Sequence, residues 1–263
     1  MKKNSPLVSI IMNCHNGEKY LKKSLQSILN QTYKNWELIF WDNQSKDKSE
    51  KIFKSFKNSK FKYFYSKNFY PLYKSRNLAI KKAKGRFITF LDTDDLWQKD
   101  RIKYSVNYLL NKKLNICYSN HYLFYQKIKF KKKAINYDFQ TSPQYFLNNY
   151  NIGILTVTLK KTFFKKESFN SNYQIIGDFD YFIKLSLKNK IGYIKKPLAT
   201  YRIHGNNYSL KNTKLYIKEL NSWIQKNQKL MNKNNLKINQ QKKNLIKLKF
   251  KQIINYYKLV RKL

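Results

Sequence analysis

A chain of 263 residues that is 42% hydrophobic and 17% aromatic can bury a substantial core, so extended disorder is excluded. Its 55 Lys and Arg against 14 Asp and Glu, a formal net charge of +41, favour polyanionic company: nucleic acid, an anionic membrane surface or a phosphate-bearing substrate. Arg stands only at 76, 86, 101, 202 and 261, too sparsely for base reading in nucleic acid, and the joint enrichment of Lys, Asn, Ile, Tyr and Phe is what an AT-rich coding sequence produces whatever the function. Cys14 and Cys117 are too few for a disulfide framework and lack metal-ligand spacing, as expected in a reducing cytoplasm. The first apolar run, residues 7–12, is too short for a signal-peptide core or a membrane span, and no later stretch reaches spanning length without Lys or Asn. A cytoplasmic protein, soluble or peripheral on the inner membrane face, is expected.

Residues 7–12 read as a first strand, followed by the loop Asn13-Cys14-His15-Asn16-Gly17. From about 18 to 30, Tyr20, Leu21, Leu25, Ile28 and Leu29 recur at helical spacing. A second strand, 36–41, runs into the polar loop 42–47, and a helix with Ile52, Phe53 and Phe56 leads to a third strand, 61–65. A helix over about 72–84 closes with Gly85 in the position of a C-terminal cap. The fourth strand, 86–91, ends in Asp92-Thr93-Asp94-Asp95. Such alternation implies right-handed crossovers and a parallel sheet, with the three polar loops converging on one edge. No Gly-rich phosphate loop follows any strand, so a nucleotide there is held by side chains and metal. Asp92 and Asp94, two apart, face the same way if the strand persists, and clustered acids repel unless a cation compensates. Their oxygens suit Mg²⁺ or Mn²⁺, which take few protein ligands and fill the rest from phosphates and water. The alternative is a turn and helix N-cap, because Asp95 precedes a helical pattern from 99 to 110.

Residues 8–12, 16–21, 24–33, 36–39 and 42–47, with Arg76-Asn77 and 90–95, resemble the nucleotide-binding half of family 2 glycosyltransferases, nearly continuously over the first 110 residues. The resemblance implies a GT-A fold: an α/β, Rossmann-like mixed sheet flanked by helices. It further implies that Asp92-Thr93-Asp94 is the D-x-D motif binding metal and sugar-nucleotide, and that Asn13 and His15 after the first strand and Asp42 and Asn43 after the second meet base and ribose. Arg76 falls at a position near the nucleotide, either neutralising a phosphate or simply solvated. The chain departs from the family at Asn43 and Gln44, where Asp and Gly are frequent, which leaves UDP- and dTDP-sugars both open.

After residue 110 the pattern loosens. Residues 116–118 read as a strand, 122–125 with Lys127 to Lys133 as an aromatic, basic hairpin, and 145–147 with 154–159 as an acceptor-side sheet. Residues 176–185 resemble the family segment E-D-x-D-L-x-x-R-L, which puts the catalytic base on Asp178, with Gly177 in place of the usual first acid; the alternative for Asp178 is an ordinary N-cap. Residues 201–209 resemble the closing segment Y-R-x-H-x-x-x-x-S, so His204 becomes a third metal ligand, a diphosphate contact or a structural histidine. From 210 onward Lys and Asn alternate with apolar residues at helical spacing, among them Leu215, Leu220, Trp223, Leu245, Ile253, Ile254 and Tyr257. This helical tail either meets an anionic membrane or packs on the domain.

The expected organisation is a glycosyltransferase domain over 1–209, divided near 110 into donor and acceptor halves, with a Lys-rich tail over 210–263. The expected activity is metal-dependent, inverting transfer from a nucleoside diphosphate sugar to a saccharide or lipid-linked saccharide in surface polysaccharide assembly, with no specific nucleic acid partner. A nucleotidyltransferase would open with a Gly-rich Arg/Lys loop, which 13–17 is not. The rival of another class is a non-enzymatic basic module binding nucleic acid or an anionic membrane.

Overall fold

Strands β1 (Val8–Cys14), β2 (Trp36–Asp42), β3 (Phe61–Tyr65) and β4 (Phe87–Phe90) run parallel in the order β3-β2-β1-β4, with Val8 registered against both Trp36 and Phe87. The computed structural model describes residues 5–135, 141–166 and 168–260; the side chains of Ile253, Ile254 and Tyr257 lie outside the described ones. β1, β2 and β4 are apolar on both faces because helices cover both. Ile10, Met12, Leu38 and Phe40 pack against Leu21, Leu25 and Ile28 of α1 (Glu18–Leu29) and Phe53 of α2 (Ser49–Ser55). Ile11, Ile39 and Trp41 point the other way, against Tyr73, Ala79 and Ile80 of α3 (Leu72–Lys82).

The chain then crosses into a mixed half: β5 (Leu96–Trp97), α4 (Arg101–Asn111), β6 (Ile116–Tyr125), β7 (Phe130–Lys133), α5 (Pro143–Asn148), β8 (Thr158–Lys160), α6 (Phe163–Lys166), α7 (Gly177–Lys188), β9 (Gly192–Ile203), α8 (Tyr208–Lys211), α9 (Thr213–Lys233) and α10 (Asn239–Val260). The sheet continues from β4 as β8-β6-β9-β5, with β7 paired to β6; β8 is antiparallel to β4 and β6, and β9 is parallel to β6. An α/β mixed sheet flanked by helices is thus observed as the resemblance implied.

Several local expectations change. The segment 154–159 is not one strand: Ile154–Thr156 is a 3₁₀ turn and only Thr158–Lys160 pairs. The buried Arg101 guanidinium donates to the carbonyls of Leu155 and Val157 and to Thr158 Oγ1, drawing this backbone away from a ladder. Gly85 is no left-handed cap, since no glycine here has positive φ; a Cβ at Gly85 would lie 2.5 Å from the Ser9 amide, so the need is for close approach to β1. The helices after 209 are built into the domain. Leu220, Trp223, Ile224 and Met231 of α9 share the core face of α3 and α7, and α10 packs on α9 and α5.

Candidate active site

The loops after β1 and β2 are tied together by their own polar groups. Asn43 N–H donates to Cys14 O (2.7 Å), Lys46 N–H to Asn16 Oδ1 (2.8 Å) and Glu18 N–H to Asp47 Oδ2 (2.9 Å). Asn16 and Gln44 sit at positive φ, 55° and 62°, so Gln44 adopts the left-handed backbone for which the family usually has Gly. Asp42 is fully engaged, accepting from Ser45 N–H (2.8 Å) and from the Tyr63 hydroxyl (2.7 Å). Asn43 directs both amide atoms to the backbone of Tyr70, which organises the loop after β3 and takes its side chain away from a base. His15 Nδ1 meets Asn43 O at 2.9 Å and its ring stands edge-on to Phe69, 4.9 Å between centroids. Asn13 differs from these: both its amide atoms, like Nε1 of its register partner Trp41, are buried without a hydrogen-bond partner among the described residues. A buried amide left unpaired costs free energy unless a ligand answers it, so this edge is chemically suited to one.

The acids after β4 take three different roles. Asp92 Oδ1 accepts from Arg76 Nη2 at 2.7 Å, and Arg76, only 2% exposed on α3, is committed to this pair rather than solvated. Thr93 gives its carbonyl to Ser24 Oγ (2.6 Å), which anchors the turn to α1. Asp94 Oδ2 lies 2.9 Å from His204 Nε2. Burial, and then the charge of Asp92, hold the Asp94 carboxyl above the usual carboxylate range. Asp95 is buried and is no helix cap: its Oδ1 accepts Arg202 N–H at 2.9 Å, joining the acid turn to β9, and β5 intervenes before α4. Burial and the two neighbouring acids push it well above its ordinary value.

Mg²⁺ or Mn²⁺ would fit here on two counts: Asp94 is poorly compensated, and Asp92 keeps an oxygen that Arg76 does not use. Among the described residues no cluster of three or more metal-ligating side chains forms. In this arrangement both ring nitrogens of His204 are engaged, by Asp94 and by the Asn206 amide. Its Nδ1 accepts Asn206 N–H at 3.1 Å, so the imidazole hydrogen sits on Nε2 and is donated to Asp94. A metal-bound histidine has the opposite pattern, its second nitrogen donating outward.

Asp178 is the second residue of α7 and not its N-cap, which is Ile176. The Tyr73 hydroxyl reaches its Oδ1 at 2.9 Å, and Phe179 N–H donates to the same atom at 2.9 Å. Burial raises the Asp178 carboxyl, opposed by the nearby Arg76 guanidinium and the Tyr73 hydrogen bond. Arg76 lies 5.3 Å from the Tyr73 ring, so Asp92, Arg76, Tyr73 and Asp178 form one continuous chain across the cleft. Tyr201 reports the same convergence: after burial, the fields of Asp95, Asp94, Asp92 and Asp178 together raise its phenol. A Cβ at Gly177 would come within 2.4 Å of the Tyr73 ring, so Tyr73 fills the space that the family's first acid would need. Two residues on, Asp180 is consumed by structure, accepting Trp223 Nε1 (3.0 Å) and pairing with Lys184 (2.7 Å).

Sequence reasoning missed Tyr73 and Glu219 and gave Tyr201 no role beyond opening the 201–209 segment. Glu219 accepts N–H groups from Gln174, Ile175 and Ile176 at 2.6, 2.9 and 3.1 Å and so clamps the loop that delivers Asp178. Its signal was available, since Glu219 is the only acid between 210 and 263. Tyr73 had none.

Among solved structures, Staphylococcus aureus TarS 1–349 in complex with UDP-GlcNAc matches with a TM-score of 0.66 at 16% identity, over 82% of this chain and 66% of that one. A mannosyltransferase from Pyrobaculum calidifontis in complex with GDP-Man and Mn²⁺ matches at 0.63 and 13%, over 85% of this chain and 65% of that one. These likenesses establish the GT-A fold. The family model for glycosyl transferase family 2 matches residues 9–185, and the chain belongs to that family. It is 32% identical over 192 residues, 69% of each chain, to WfgD of Escherichia coli, a UDP-Glc:alpha-D-GlcNAc-diphosphoundecaprenol beta-1,3-glucosyltransferase. Several longer relatives are spanned to about a third of their length. The protein is a glycosyltransferase, and the reading as a non-enzymatic basic module is set aside.

Proposed function

We propose that this glycosyltransferase moves a hexose from a UDP-sugar to a saccharide hydroxyl with inversion, in surface polysaccharide assembly. The observation that carries the reading is the Asp92–Arg76–Tyr73–Asp178 chain, which brings the donor-side and acceptor-side acids to one cleft. Both donors to Asp178 meet Oδ1, leaving Oδ2 for the acceptor. That oxygen takes the hydroxyl proton as the acceptor oxygen bonds to the anomeric carbon, while the bond to the diphosphate oxygen breaks and its electron pair leaves with UDP. Attack on the face opposite the leaving group inverts the centre. Asp94 and the unpaired oxygen of Asp92 would hold Mn²⁺ or Mg²⁺, which when bound neutralises charge developing on the diphosphate. His204 and Arg202 are positioned beside Asp94 to hold that acid, and Asn13 offers both amide atoms to the nucleoside.

The donor activity named for WfgD favours UDP-Glc over a dTDP-sugar, and its acceptor favours a diphospholipid-linked GlcNAc. The test is a panel of nucleotide-sugars scored by thermal stabilisation with and without Mn²⁺, followed by transfer to a lipid-diphosphate GlcNAc acceptor. UDP-Glc should raise the unfolding midpoint only with the metal present. Equal stabilisation by GDP- and CMP-sugars, or by UDP-Glc without metal, would contradict the reading.

A further inference from the structure

The β6–β7 hairpin carries none of the residues proposed for the transfer chemistry, yet its surface is unusual for a solvated loop. Among the described residues β7 pairs only with β6, from Tyr122 opposite Lys133 to Tyr125 opposite Phe130, and every residue from 127 to 133 is exposed. At the turn Ile128 is 68% and Phe130 50% exposed. Five lysines, at 127, 129, 131, 132 and 133, surround these two, and no acid occurs from 122 to 133. Lysines by themselves blunt an edge strand, but that purpose needs no exposed apolar tip. The Lys131 ammonium lies 4.1 Å over the Tyr122 ring and that of Lys132 5.6 Å over Tyr125, so the aliphatic stems run along aromatic surface. An apolar tip, tyrosines behind it and a collar of lysines suit the boundary between lipid headgroups and acyl chains. The turn end of the hairpin adjoins the cleft: Phe124, opposite Lys131, is registered against Arg202, and Tyr125, opposite Phe130, against Ile203, the residue before His204.

We propose that the β6–β7 hairpin docks the protein on an anionic bilayer, Ile128 and Phe130 entering the headgroup boundary while the lysines meet lipid phosphates. The cleft then opens beside the membrane that presents a lipid-linked acceptor; this purpose rests on the acceptor reading above, whereas docking itself needs no turnover. A single-stranded nucleic acid is the other polyanion to weigh. The hairpin has no Arg for it and presents an aliphatic Ile at the tip, which favours lipid.

The experiment is co-sedimentation of the full chain with phosphatidylcholine vesicles, with and without about one-third phosphatidylglycerol. The parent should bind the anionic vesicles, release with salt and ignore the neutral ones. Ile128→Ser with Phe130→Ser should weaken vesicle binding about tenfold, and Lys131→Gln with Lys132→Gln and Lys133→Gln by more, about a hundredfold. Both variants should keep the parental unfolding midpoint and the parental rate on a water-soluble acceptor. Asp94→Asn should bind vesicles like the parent while failing to transfer, so loss of docking and loss of transfer are read separately. Unchanged vesicle binding by the tip variant, equal binding to neutral vesicles, or tip-dependent binding of an oligonucleotide in place of vesicles would overturn the proposal.

Discussion

The parallel and mixed halves of this sheet build their parts of the cleft by opposite means. In the parallel half, β1 and β2 end in register at Cys14 and Asp42 while β4 stops at Phe90 opposite Ile11, and adjoining loops bond to one another through backbone and short polar side chains, as in the pair Asn43 N–H to Cys14 O. In the mixed half, Asp178 is delivered by a helix and held from outside, by Tyr73 from the donor half and through a loop clamped by Glu219. A site edge made by consecutive strands is local and repeats with the chain. One made by a helix borrowed across the cleft depends on contacts more than a hundred residues apart.

That contrast can be broken at several points. The largest effect is expected from Asp94→Asn, which should lower transfer by about 10³-fold and remove metal-dependent donor stabilisation, measured by initial rates across Mn²⁺ concentration. Retained metal-dependent stabilisation would put the ion elsewhere. Next comes His204→Gln, which keeps a donor near Asp94; kcat should fall by roughly ten- to a hundredfold with the Mn²⁺ concentration for half-activity unchanged, because His204 donates to the acid rather than binding metal. A large rise in the Mn²⁺ requirement would restore the ligand role.

Tyr73→Phe sharpens the comparison through pH. Burial raises the Asp178 carboxyl above the usual carboxylate range, and a carboxyl in the proposed base role works only when deprotonated, so activity is expected to rise with pH across its titration. The Tyr73 hydrogen bond stabilises the carboxylate and opposes the shift; its removal should move the acid limb of the kcat profile to higher pH. A limb that stays in place would separate Tyr73 from the base. The smallest effect belongs to the donor edge: Gln44→Gly relieves a left-handed backbone but loses the bond from Nε2 to Lys67 O, so stability should change by less than about 1 kcal/mol in a denaturant titration.

The same contrast explains what the sequence makes legible. Ile10, Ile11, Leu38, Ile39 and Phe90 mark strands because burial on both faces leaves an unbroken apolar run, and polar residues directly after them mark the edge. Asp92 and Asp94 are readable for that reason. In the other half, β6 spans Ile116–Tyr125 as a single strand though Ser119, Asn120 and His121 interrupt its apolar pattern, since these three are buried within the sheet. Arg101, one of 55 basic residues in the sequence, binds the carbonyls of Leu155 and Val157 where a strand is predicted from 154 and a turn is found. Tyr73 is one of 22 tyrosines, and only the space left by Gly177 distinguishes it. In the tail the sequence leaves two alternatives, and the packed one is observed: the Lys-rich composition describes the outer faces of α9 and α10, while Trp223 and Met231 on the inner face complete the core.

The central claim is that acids from both halves act on one transfer event, and Asp178→Asn tests it most directly. The variant should bind UDP-sugar with Mn²⁺ like the parent, by thermal stabilisation, while kcat falls by about 10²- to 10⁴-fold. Transfer at the parental rate by a folded, donor-binding Asp178→Asn protein would contradict the account.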